Sequence, residues 1–153
     1  MAARSSTDLA DRIVAEARSW IGTPYRHQGT AKGIGCDCLG LVRGVWRAIY
    51  GADPERPPAY TSDWAEITGE ETLLNAASRH MERRPAGTFL PGDVLIFRWR
   101  PHLPAKHCGI VTEPDRMVHA YQAAGRVAEG YIAATWRQRI AGAFAFPPAE
   151  DDG

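Results

Sequence analysis

The chain has 153 residues, 44% hydrophobic and 24% charged, and its eighteen basic and eighteen acidic side chains cancel. That is the size and balance of one soluble domain around one apolar core, with no net field to draw it to nucleic acid or an anionic lipid surface. No stretch approaches the roughly 18 apolar residues of a membrane span, and three cysteines are too few and too odd in number for a disulfide-stapled fold.

Met1 to Asp11 shows no basic region leading into an apolar run, so no secretion signal is read there and synthesis in a reducing compartment is expected. Ile13, Val14, Ala17, Trp20 and Ile21 then recur at helical spacing, with Ser5, Ser6 or Thr7 as cap and Gly22 with Pro24 as stop. A glycine-rich loop, Gly29 to Gly35, opens a second helix in which Cys38, Val42, Val45 and Ile49 share one side, flanked by Leu41 and Trp46. Gly51 ends it. Three prolines make Asp53 to Tyr60 extended and irregular.

A third helix is expected over Glu70 to Glu82. Beyond Pro91–Gly92 the pattern turns strand-like, in Val94 to Trp99, His107 to Thr112, Met117 to Gln122, Arg126 to Tyr131 and Ile140 to Phe146. Helices first and antiparallel strands afterwards predict an α+β domain with about five strands, spanning 1–153 as one unit with a loose tail from Pro147 to Gly153. Arg98, Arg100, Lys106, Arg137 and Arg139 read as solvated strand ends, and His27, His80 and His102 as solvated surface histidines.

Cys38 follows Asp37 where the loop meets the helix. In a first turn, outward N–H groups and the helix dipole favour the thiolate, while Asp37, as N-cap, works slightly against it. A buried structural cysteine is the competing reading. An attacking thiol needs a base, and the base needs a group to orient it. His107 and His119 lie on successive predicted strands, the first as base and the second to hold its tautomer and tilt. A two-residue turn at Pro114–Asp115 pairs residue 110 with 119 and places the histidines on opposite faces. An odd-length loop or a bulge pairs 109 with 119 and makes them diagonal neighbours, about 7–8 Å apart at the backbone.

Cys36, Cys38, His107, Cys108 and His119 also raise a zinc reading. The Cys36–x–Cys38 gap is too tight for it, and adjacent His107 and Cys108 point to opposite faces, so no metal and no cofactor is expected. Tyr25 precedes the loop that presents Cys38. Its phenol is placed either as an oxyanion donor beside the Cys38 N–H or as packing against the helix.

Gly22-Thr23-Pro24-Tyr25, Asp37-Cys38-Leu39-Gly40-Leu41, Pro91-Gly92-Asp93-Val94, His107-Cys108-Gly109-Ile110-Val111 and His119-Ala120, in that order, resemble the NlpC family of cell-wall cysteine peptidases from about Ile13 to Phe146. The resemblance implies a papain-like α+β fold, hydrolysis of amide bonds in peptidoglycan stem peptides, and the roles already given to Cys38, His107 and His119. It also implies that Tyr25 and Asp37 lie beside the nucleophile as oxyanion or substrate contacts. Leu39 stands where the family has serine, and Arg26-His27-Gln28-Gly29 replaces a more aromatic stretch. With Cys36 and the Lys106-His107-Cys108 run, these variants look like the branch encoded by tailed phages and gene transfer agents. That implies synthesis in the bacterial cytoplasm, carriage in a tail particle with hub or tip proteins as partners, and local opening of the wall for DNA entry. A catalytically silent docking domain is the alternative.

Overall fold

The structure is a computed structural model that describes residues 6–55, 71–85 and 87–148. The first helix, α1 (Ser6–Ser19), buries Ile13, Ala17 and Trp20, as its spacing predicts, while Ile21 just beyond it is 46% exposed. Two short strands, β1 (Thr30–Ala31) and β2 (Gly35–Cys36), pair antiparallel within the glycine-rich loop. Helix α2 (Cys38–Tyr50) follows, and Gly51 closes it in a left-handed conformation at φ 92°, its N–H donating to the Arg47 carbonyl. Leu41, Val42, Val45 and Trp46 give α2 its buried face. Gly44 lets α1 approach, because a methyl there would meet the Trp20 ring at 2.1 Å.

Helix α3 (Thr72–His80) is shorter than its expected span, and Glu70 lies outside the described residues, as do residues 56–60 of the proline-rich segment. Six strands rather than five then form one antiparallel sheet: β3 (Glu82–Arg84), β4 (Val94–Phe97), β5 (His107–Glu113), β6 (Arg116–Tyr121), β7 (Arg126–Tyr131) and β8 (Ile140–Ala145), in the order β3-β8-β4-β5-β6-β7. The additional strand, β3, is Glu-Arg-Arg at the sheet edge. It carries no apolar alternation because it needs none; pairing with β8 makes it a strand. The α+β class and the helix-on-sheet arrangement hold.

Each face of the sheet has its own apolar layer. The helices cover Val94, Ile96, Cys108, Ile110, Val118, Ala120 and Phe144. Leu95, Phe97, Val111, Met117, Ile132 and Ala143 lie on the other face with Phe89, Ile140 and Trp136, the last from a short helix α4 (Ala134–Arg137). At the turn before β4, the buried Asp93 accepts from the Leu90 N–H at 2.8 Å and pairs with Arg84.

Two surface expectations change. Arg98 is not a solvated strand end: it reaches Glu71 at 2.7 Å and the Leu103 carbonyl at 2.7 Å, tying the strand to the start of α3. His80 meets Glu55 at 2.7 Å, because the helix end brings it against that carboxylate. Nor is the tail loose at its start, since the Tyr50 hydroxyl donates to the Pro147 carbonyl; residues 149–153 lie outside the described residues.

Candidate active site

Asp37 sets the start of α2. One carboxylate oxygen accepts from the Gly40 N–H at 2.8 Å, capping the helix, and the other accepts from the Gln28 N–H at 2.8 Å. A side-chain cap is worth about 1 kcal/mol, and here the same group also ties down the loop beside the helix. That loop lies so close that the Gly29 carbonyl occupies the space of a Gly40 side chain. Thr30 adds a bond to the Gly40 carbonyl at 2.7 Å, and Arg47 holds the Thr30 carbonyl at 2.6 Å. The first residue of α2, Cys38, is thereby fixed in position and only partly covered.

The thiol meets the sheet at the start of β5. In its neutral form it donates to the Lys106 carbonyl at 3.6 Å. Hydrogen bonding to Cys108, and then hydrogen bonding and charge from His107, hold Cys38 well below the usual thiol range, against burial and the Asp37 charge. The closeness of Cys108 has no counterpart in the sequence reading. Its own thiol is pushed up, because it is the partner that keeps its proton. Cys36 is pushed up to about 12 by burial and by Asp37. Cys38 is therefore expected to react with iodoacetamide at least about tenfold faster than Cys36 or Cys108 at neutral pH. Timed quenching and peptide mapping measure this, and uniform labelling would contradict an activated thiol.

His107 Nε2 lies 2.8 Å from His119 Nδ1, and both rings are buried. The register explains how they meet. A two-residue turn closes the β5–β6 hairpin with Glu113 opposite Arg116, and a bulge between Val111 and Glu113 then shifts the pairing by one. Val111 faces Met117 and Ile110 faces Val118, which places Gly109 opposite His119 and the two histidines on a diagonal. Of the two routes that would bring them together, the chain uses the bulge. Burial, followed by the nearness of His107, lowers His119 to about 3, so it is neutral at ordinary pH. In the tautomer that carries its proton on Nε2, a neutral His119 accepts at Nδ1 from the His107 Nε2–H, and His107 Nδ1 is then the nitrogen that faces the thiol.

Cys38 and His107 open on a cleft of about 540 Å³ whose lining includes Tyr25, His27, Asp37, Leu39, Trp99 and Tyr121. Tyr25 stands on the cleft wall. Its phenol is pushed up to about 12 by burial and then by the charge of Cys38, so it is a proton donor there. Asp37 lines the same cleft with both oxygens engaged by backbone N–H groups. A carboxylate has no proton for an oxyanion, so what it contributes is the shape of the loop and helix. His27 is exposed, as expected, but stands at the cleft. Among the described residues no group of three or more His, Cys, Asp or Glu is placed to hold a metal ion.

Sequence reasoning missed the aromatic shell around the histidines. Trp99, Phe97, Tyr121 and Trp136 have ring centroids 5.3 to 5.9 Å from that of His107. Part of it was readable as two-residue spacing, Phe97 with Trp99 on one side and His119 with Tyr121 on the other. Trp136 arrives from α4 and carried no such signal.

Helices laid on an antiparallel sheet, with a thiol at a helix start and an imidazole pair on the sheet, define the class of fold. The NlpC/P60 family pattern matches residues 22–144, and the chain belongs to that family. Gamma-DL-glutamyl hydrolase of Bacillus subtilis is 28% identical over 131 residues, which are 85% of this chain and 28% of that protein; the chain thus spans under a third of that relative. Among solved structures, the NlpC/P60 domain of the peptidoglycan hydrolase SagA is 23% identical, with a TM-score of 0.65 over 90% of this chain and 98% of that one. An NlpC/P60 protein of Bacillus cereus is 20% identical, with a TM-score of 0.66 over 94% of this chain and 43% of that one. The peptidoglycan hydrolase RipB of Mycobacterium tuberculosis is 21% identical, with a TM-score of 0.57 over 95% and 67% of the respective chains. At these identities the solved structures speak for the fold.

Proposed function

We propose that the chain is a cysteine peptidase that hydrolyses amide bonds in peptidoglycan stem peptides, with Cys38 as nucleophile, His107 as base and His119 as its orienting group. The observation that carries this reading is the Cys38 thiol at a helix start, held low by Cys108 and His107, with the His107 imidazole itself fixed by His119 at 2.8 Å. The Cys38 thiolate adds to the amide carbonyl, and the Tyr25 phenol and the Cys38 N–H are the donors offered to the oxyanion. His107 passes its proton to the leaving nitrogen as the C–N bond breaks, giving a thioester and a free amine. It then takes a proton from water, whose oxygen displaces the sulfur and releases the acid.

The relative named a gamma-DL-glutamyl hydrolase supports a preference for bonds after γ-linked glutamyl residues, and the relatives named peptidoglycan hydrolases support the polymer. Carriage in a phage-like tail, to open the wall for DNA entry, rests on Leu39, Cys36 and the Lys106-His107-Cys108 run and is part of the same proposal. A silent docking domain is disfavoured because such a relic has no reason to keep a thiol and a base on one cleft with an imidazole bonded to that base. Defined stem peptides incubated with the protein and read by mass spectrometry test both activity and bond choice. Fragments from the native chain and none from Cys38→Ala are expected; equal release from both would end the assignment of Cys38.

A further inference from the structure

In the proposed thiolate–imidazolium pair the Cys38 thiolate is the counter-charge of His107, but the third position, where a carboxylate would add to it, carries an imidazole. Once protonated, His107 is a buried cation, and burying a charge without compensation is costly. Its hydrogen-bond partner on the sheet, His119, is neutral. Asp37, the carboxylate beside the thiol, has both oxygens engaged by the Gln28 and Gly40 N–H groups.

Four aromatic rings pack around His107. The Trp99 ring stacks on it at 5.3 Å and 26°, and Trp136 lies at 5.4 Å and 30°, with Phe97 at 5.8 Å and Tyr121 at 5.9 Å. These rings also brace one another, Trp99 on Trp136 at 5.6 Å and Tyr121 on Trp136 at 5.5 Å, so the shell is a connected unit. Tyr121 further stacks on His119 at 5.3 Å and 14°.

We propose that Trp99 and Trp136 are positioning residues whose π-faces stabilise the cationic form of His107, supplying the charge compensation that a carboxylate gives in other triads. The inference rests on the reading that Cys38 and His107 act as a pair. A cation over an aromatic face gains most where water is excluded, and both tryptophans are partly buried. The charged and titratable groups around the pair are Cys108, Tyr25 and Asp37 near the thiol, His119 and Tyr121 beside the imidazole, His27 and Lys106 on the cleft wall, and Arg139, which is exposed and 5.6 Å from the Trp99 centroid. Arg139 competes for the same ring, but solvent screens it.

The test uses the full chain and iodoacetamide, and needs no peptide substrate. In Trp99→Leu, which keeps apolar bulk without a π-face, alkylation of Cys38 at pH about 4, below its native pKa of about 5 where the thiolate population limits the rate, is expected to slow roughly tenfold, a mid-range loss for a cation–π contact. Trp99→Phe restores a face and is expected to stay within about threefold of the native chain. Trp136→Leu repeats the loss from a separate element, so the comparison survives if Trp99→Leu folds poorly; thermal unfolding checks each variant. Leu and Phe variants of Trp99 with equal rates, whether both are fast or both slow, would overturn the proposal. So would native rates in folded Trp136→Leu. Slow alkylation of the native chain would sink the thiolate pair itself, and fast alkylation without peptide cleavage would sink the peptidase reading alone.

Discussion

His107→Ala is expected to lower the rate of stem-peptide cleavage by at least about a thousandfold, while His119→Ala loses about ten- to a hundredfold. The two imidazoles touch at 2.8 Å and are similarly buried, so proximity alone does not rank them. The ranking comes from what each can do. His107 interacts with the thiol, so its loss removes the proton acceptor and part of what keeps Cys38 ionised. His119 is held neutral and acts through its hydrogen bond to His107, so its loss frees the tilt of a ring that the aromatic shell still confines. Single-turnover rates with a defined peptide, beside the unfolding midpoint of each variant, measure the difference. If His119→Ala proved the more damaging at equal stability, the two assignments would have to be exchanged.

Gly40→Ala is expected to destabilise the fold by about 3 kcal/mol or more, near the upper end for overpacking. A methyl there would lie 1.7 Å from the Gly29 carbonyl oxygen and 3.1 Å from Asp37 Oδ1. The first is backbone of a loop held at both ends. It is tied by the Asp37 bond to Gln28, and by Thr30 and Arg47 behind it. Neither side can yield without parting the loop from the helix, and parting them moves the cap that sets Cys38. The variant should therefore also alkylate more slowly at Cys38. Gly130→Ala is the control, since nothing lies within 4 Å of a methyl at that position, and it is expected to change stability by under about 1 kcal/mol. Urea unfolding of the two variants measures the contrast; equal stabilities would mean that the loop is not packed against the helix start as described.

The candidate site was readable to the extent that it is local. Asp37 before Cys38, after a glycine-rich loop and ahead of an apolar helical stripe, announces a capped helix start, and α2 begins there. The strand pattern placed both histidines on neighbouring strands and stated what their meeting would require. It did not choose between the routes, because a bulge is one extra residue with no signature in Val111-Thr112-Glu113. Cys108 was weighed as a metal ligand. That its side chain would lie against Cys38 depends on how α2 crosses β5, which periodicity does not describe.

Within segments, then, the amino-acid order determined this protein: the helices and long strands, the capped thiol and the two imidazoles, all set by contacts between residues a few positions apart. The tertiary structure alone decided the pairing of Glu-Arg-Arg at the sheet edge, the one-residue shift that lets His107 reach His119, and the tryptophan from α4 that completes the aromatic shell. Those features join residues far apart in the chain. Their geometry is chosen by the packing of both faces of the sheet together, and no local pattern carries that information.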